Sequence, residues 1–149
     1  MKLIAPPFLT IAALILAGPS VAFASTPEAQ IRAVLKAQAD AWNRGEIEGY
    51  MNGYARGDST QFLSGDTLTR GWKTVRDRYA KKYESREKMG TLSFSEVEVT
   101  LLSADAASVV GRWRLVRRGD KPHGRFTLIF RRTPEGWRIV HDHTSVRSR

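Results

Sequence analysis

The period of the apolar residues changes once along this chain, and that change limits the fold more than any other feature. Up to about residue 84 they recur at helical spacing, broken by one short stretch around Gly65-Asp66. From Gly90 onward they recur with a period of two in four successive segments. Helices gathered before a run of strands give an α+β architecture, because a parallel α/β sheet would alternate the two. There are no internal repeats, no low-complexity segments and no internal linker.

In the helical part, Thr26 followed by Pro27 reads as an N-cap with proline at the first helical position. Ile31, Val34, Leu35, Gln38 and Trp42 then lie on one face, and Gly45 stands where a glycine stop belongs. The spacing predicts a long amphipathic helix over 26–43 with Val34, Leu35 and Trp42 against the sheet. A short second helix carries Ile47, Tyr50, Met51 and Tyr54, and a small hairpin flanks Gly65-Asp66. The third helix carries Trp72, Val75, Tyr79 and Tyr83 on one face, with Lys73, Arg76, Arg78 and Lys81 mostly elsewhere.

Among the strands, Leu92 and Phe94 have one parity while Val97, Val99 and Leu101 have the other. A bulge near Ser95-Glu96 keeps them on one face. In the last segment, 136–145, strict alternation sets Trp137, Ile139, His141, His143 and Ser145 on one side and Arg138, Val140, Asp142 and Thr144 on the other. Either set can look into a pocket.

The front of the chain reads as a secretory signal peptide. Lys2 precedes an apolar run over 8–17, helix breakers follow at Gly18-Pro19, and Ala22-Phe23-Ala24 is a small-x-small cleavage site. The run is too short for a membrane span. The expected product is one domain over 25–149, periplasmic or secreted, with no membrane span after cleavage. Its size is sufficient for a core without cross-links, and the chain has no cysteine. The net charge of +9 comes from basic residues scattered over every element. Such scatter argues against a nucleic-acid partner and fits a solvated face, or attraction of an anionic surface or ligand.

The ending VHDHTS and the AWN at 41–43 resemble the nuclear transport factor 2-like superfamily, specifically its SnoaL-like proteins and the calcium-calmodulin-dependent kinase association domains. The resemblance covers most of the chain after residue 24. It implies a cone: a curved antiparallel sheet wrapped around the long N-terminal helix, three helices in all, enclosing a cavity. It also implies self-association, a homodimer first.

Three functions from different classes follow. The first is a domain holding a small, partly apolar molecule in the cone, with Tyr54, Tyr79, Trp113, His141, Asp142 and His143 as ligand-binding candidates. Trp113 enters because VVGRWRL, 109–115, resembles the association-domain strand that contributes a pocket residue, and Gly111 beside it leaves room. The second is a lyase, isomerase or hydrolase with Asp142 or His141 as the catalytic general base, since burial in an apolar cavity moves a pKa toward the working range. The third is a ligand-free assembly module. His141 and His143 alone do not make a metal site, with no cysteine present and His123 in a loop. No glycine-rich phosphate loop or nucleophile elbow occurs, so no cofactor is expected.

Overall fold

The Thr26 hydroxyl opens the first helix by accepting a hydrogen bond from Ala29 N at 3.2 Å, and Pro27 follows it. Helix α1, Pro27–Asn43, buries Ile31, Leu35, Gln38, Ala41 and Trp42 and ends at Gly45, whose φ of 83° a residue with a side chain rarely adopts. Its last residue is clamped to the sheet: Asn43 Nδ2 donates to Leu92 O at 3.0 Å, and Leu92 N donates back to Asn43 Oδ1 at 2.8 Å. Trp42 is 2% exposed and donates its indole N–H to Met89 O at 3.2 Å.

The computed structural model describes residues 25–147, so the segment expected to be a signal peptide lies outside the described residues. After α1 come α2 (Ile47–Met51), the hairpin β1 (Gln61–Ser64) and β2 (Thr67–Arg70), α3 (Trp72–Lys82) and α4 (Arg86–Met89). Then follow β3 (Thr91–Leu101), β4 (Ala106–Val116), β5 (His123–Thr133) and β6 (Gly136–Thr144). The helix α4 is a single turn capped by the Ser85 hydroxyl, and it makes four helices among the described residues where three were expected. Among the described residues no helix is long and apolar enough to cross a membrane.

All six strands form one sheet in the order β2-β1-β6-β5-β4-β3. It is antiparallel throughout except at β1 and β6, which run parallel with Phe62 opposite Asp142 and Ser64 opposite Thr144. The hairpin therefore extends the sheet instead of standing apart. The helices lie on the concave face, where Leu115, Phe126, Leu128, Phe130, Trp137 and Ile139 pack with α1 into one core. The sheet curves without closing.

Two bulges set which side chains face inward. On β3 the pairing jumps from Ser95 with Arg112 to Glu98 with Val110, and Glu96 takes a φ of 49°. This is the expected irregularity, and it turns Val97 and Val99 onto the core beside Leu92 and Phe94. Leu101 is exposed at the strand end. The second bulge departs from the sequence expectation: β5 pairs Phe130 with Ile139 but Ile129 with His141, leaving Val140 as an extra residue in β6. Trp137 and Ile139 therefore share the inner face with Asp142 and Thr144, and the strict alternation read from the sequence is corrected at Val140.

The backbone explains this position. Before the bulge, the free edge of β6 pairs with residues 53–55, through Ala55 N to Ile139 O at 2.8 Å and Ile139 N to Gly53 O at 2.9 Å. After it, the same edge pairs with β1. Val140 lies at the handover between the two partners.

Candidate functional site

The inner face of the sheet, from β1 and β3 to β6, and the helices α1, α2 and α3 line a cavity of about 90 Å³. Its walls are mainly aromatic: Tyr50, Tyr54, Phe62, Tyr79, Trp113 and Phe126. Tyr79 is the hub, with ring centroids 5.2 Å from Tyr50, 5.4 Å from Phe62 and 5.8 Å from Tyr83. Tyr54 is brought in by the bridge to Ile139, and Tyr79 by its place on the buried side of α3.

One carboxylate lies among these rings. Asp142 is 3% exposed, accepts the Tyr54 hydroxyl on Oδ2 at 2.6 Å and accepts the Thr144 hydroxyl on Oδ1 at 2.8 Å. Burial pushes its pKa up to about 6, while these two hydrogen bonds and the nearby His143 hold it from rising further. The phenols respond to the same surroundings. Burial, reinforced by the Asp142 charge, raises Tyr54 well above the ordinary tyrosine range, and Tyr50 and Tyr79 are raised as well. Around neutral pH the site is thus a set of neutral O–H donors beside one carboxyl that can hold or release a proton.

Of the candidates read from sequence, Tyr54, Tyr79, Trp113 and Asp142 meet at this cavity. His141 and His143 do not: alternation sets them opposite Asp142, and the Val140 bulge turns their side of β6 away from the inner face that carries Trp137 and Ile139. His141 faces Gln61, with Nδ1 3.0 Å from Oε1, and His143 is exposed. Of the two residues considered as a general base, Asp142 faces the cavity and His141 does not. Trp113 lines the wall and donates its indole N–H to Ser145 O at 2.9 Å. The room expected beside it is taken: a side chain at Gly111 would collide with the Phe126 ring. Among the described residues no three His, Asp or Glu side chains are grouped to hold a metal ion.

The structure also adds residues that the sequence pattern does not single out. Thr144 completes the support of Asp142. Helical spacing places Arg78 mostly off the apolar face of its helix, yet it lines the cavity together with Lys82. A finer reading of the spacing shows why, since Arg78 precedes Tyr79 and Lys82 precedes Tyr83, placing both at the border of the aromatic face.

Residues 31–148 match the SnoaL-like domain family. A nuclear transport factor 2-like protein of unknown function from Shewanella oneidensis has 39% sequence identity to the chain. The match covers 80% of this chain and 99% of that one, with a TM-score of 0.78. A domain of unknown function with a cystatin-like fold from Nostoc punctiforme superimposes with a TM-score of 0.71 at 21% identity, over 85% of this chain and 81% of that one. A ketosteroid isomerase-like protein from Erwinia carotovora atroseptica superimposes with a TM-score of 0.65 at 21% identity, over 81% and 96%. None of the curated proteins matches the chain. The length of the family match and the identity to the Shewanella protein show that the chain belongs to the SnoaL-like domain family of the nuclear transport factor 2-like superfamily.

Proposed function

We propose that the protein holds a small, partly apolar molecule in the cone, with Asp142 as the polar contact at its centre. The observation that carries this reading is a buried carboxyl, supported by two hydroxyls, set in a cavity rich in aromatic and aliphatic side chains. A buried charge without a use is costly, and here it sits where a ligand would meet it. Rigid rings supply apolar contact, and the carboxyl supplies orientation.

A second reading follows from the position of Asp142 near pH 6. A carboxylate that takes up a proton close to neutral pH is suited to general base catalysis in an isomerase, lyase or hydrolase. Each oxygen accepts one hydrogen bond from the protein and keeps a lone pair for a substrate proton. Tyr54, held neutral by its raised pKa, would steady the charge before transfer and then follow the carboxyl as it is protonated.

Both readings meet one experiment. A thermal-shift screen of small acids, alcohols, esters and cyclic ketones is run on the wild type and Asp142→Asn, and every hit is incubated and followed by mass spectrometry. Stabilisation that is lost in Asp142→Asn supports binding at this site. A product formed only by the wild type, with a rate inflecting near pH 6, adds catalysis. A screen in which nothing stabilises the wild type rejects both.

Export of the domain belongs to the same proposal, and N-terminal sequencing of secreted material should begin at Ser25. Self-association is proposed through the outer face of the sheet, where Val110 and Val116 stand exposed beside Arg112 and Arg114. A single monomer mass in light scattering would overturn it.

A further inference from the structure

The helix α3 carries two cations to the rim of the cavity. Arg78 and Lys82 are one turn apart, on the same side of the helix, and both line the opening; Arg78 is half-buried and Lys82 exposed. Five other basic side chains on the helices have acidic partners: Arg32 pairs with Glu28, Lys36 with Asp40, Lys73 with Asp77, Arg76 with Glu48 and Lys88 with Glu84, while Lys81 and Arg86, which do not line the cavity, have none among the described residues. Among the described residues neither rim cation has one. Arg78 donates Nη1 to Thr69 Oγ1 at 2.6 Å and lies 4.9 Å over the Phe62 ring, and Lys82 lies 5.3 Å over Tyr83. Asp142 is hydrogen-bonded to Tyr54 and Thr144 and feels the charge of His143, so the rim is not answering that carboxyl either.

The cavity is therefore polarised along its axis: two uncompensated positive charges at the mouth, aromatic walls and a carboxyl inside. Resting on the cavity reading above, we infer that its ligand is a small organic carboxylate. The carboxylate lies against Arg78 and Lys82, a compact apolar body lies along the wall that includes Phe62, Tyr79 and Phe126, and the far end meets Asp142. The guanidinium of Arg78 keeps free N–H groups beside the one given to Thr69, and its stacking on Phe62 holds it in place for a planar anion. The reverse orientation would set two carboxylates together in a desolvated space. The size follows from the volume. An apolar cavity of about 150 Å³ takes up a benzene ring, and this one, at about 90 Å³, fits a short branched chain or a small ring.

The test uses isovalerate and cyclobutanecarboxylate, each beside its primary amide, which keeps shape and removes charge. Affinities are measured by calorimetry at low and high salt for the wild type, Lys82→Glu, and the double variant Arg78→Gln with Lys82→Gln. Melting temperatures serve as a folding control. The expected result is that each carboxylate binds about tenfold more tightly than its amide in the wild type. That preference should shrink with salt, be lost in the double variant and fall toward parity in Lys82→Glu, where the two rim charges cancel, while the affinity of the amides stays within about twofold. Because Lys82 is exposed, its variant isolates charge from folding. Equal binding of acid and amide, or a preference that survives in both variants, would overturn the inference and leave the cavity reading in place. Failure of all four compounds to bind would overturn this assignment; the cavity reading itself falls only if the broader screen is also empty.

Discussion

The two ends of the cone are built from the same sheet and behave as opposites. At one end Ala107, Phe130 and Trp137 lie at or near matched positions of adjacent strands, and with Ile31 and Met51 they fill the interior almost completely. At the other end Trp113, Phe126 and Asp142 continue the same three strands, and the space between them and α3 is left partly empty and lined with hydroxyls. The first end has the character of a packed core, close to crystalline in density. The second holds a desolvated carboxyl that weakens the native state as it ionises. Apolar packing is concentrated at one end and the buried ionisable groups at the other, so substitutions at the two ends should differ in sign as well as size.

The largest effect is expected at the filled end. Trp137→Ala removes a ring that is 2% exposed and should cost about 3–5 kcal/mol in urea unfolding. A loss below about 1 kcal/mol would mean that the end is loosely packed, and the contrast would fail.

At the other end the sign should reverse. The pKa of Asp142 is raised in the fold from 3.8 to about 6, so the native state holds its proton more tightly than the unfolded chain. The stabilisation from protonation is complete below about pH 3.8 and is lost as the pH rises through about 6. A rise of that size corresponds to about 3 kcal/mol at neutral pH. Asp142→Asn should therefore be as stable as the wild type at pH 7 or more stable, by up to about that amount, and the loss of stability with rising pH that Asp142 causes should be absent from it. Urea titrations at several pH values check this; an unchanged pH slope in the variant would show that another group is responsible.

Tyr54→Phe should act more gently. It deletes the donor to Oδ2, which helps to hold the Asp142 pKa down, so the carboxyl should climb above its wild-type value. The stability loss should be about 1–2 kcal/mol. Carbon NMR of the Asp142 carboxyl reads the pKa directly, and a downward movement would contradict the assigned bond. The smallest effect is expected from His141→Ala and His143→Ala on the outer side of β6, within about 0.5–1 kcal/mol and without change in ligand affinity. A loss of cavity binding in either would show that the two faces communicate.

Much of the frame is legible in the sequence because local and global signals agree. The Thr26-Pro27 start, the Gly45 stop and the face through Ile31, Leu35 and Trp42 all point to one helix, and one helix forms. The β3 bulge is legible because its apolar residues change parity, with polar Ser95 and Glu96 between them. In β6 the same device leaves no trace: Trp137, Ile139 and Val140 are apolar on both sides of the strand, and polar groups of both parities follow. The need for it comes from the change of edge partner from residues 53–55 to β1, a long-range pairing that no local pattern records. Arg78 is hidden for another reason. A long side chain at the border of a helix face can reach either way, and the ring of Phe62, distant in sequence, decides which.

Val140 acts on the final strand as a frameshift acts on a message. Every residue after it is read by the opposite face, and so the carboxyl of Asp142 faces the cavity while the imidazoles face outward. A chain one residue shorter at this point could keep the same composition, the same helices and nearly the same sheet. It would present histidines inside and an aspartate outside, exchanging an acid site for a basic one. The kind of chemistry open to this cone is set by a count of residues, which a comparison of residue types alone would pass over.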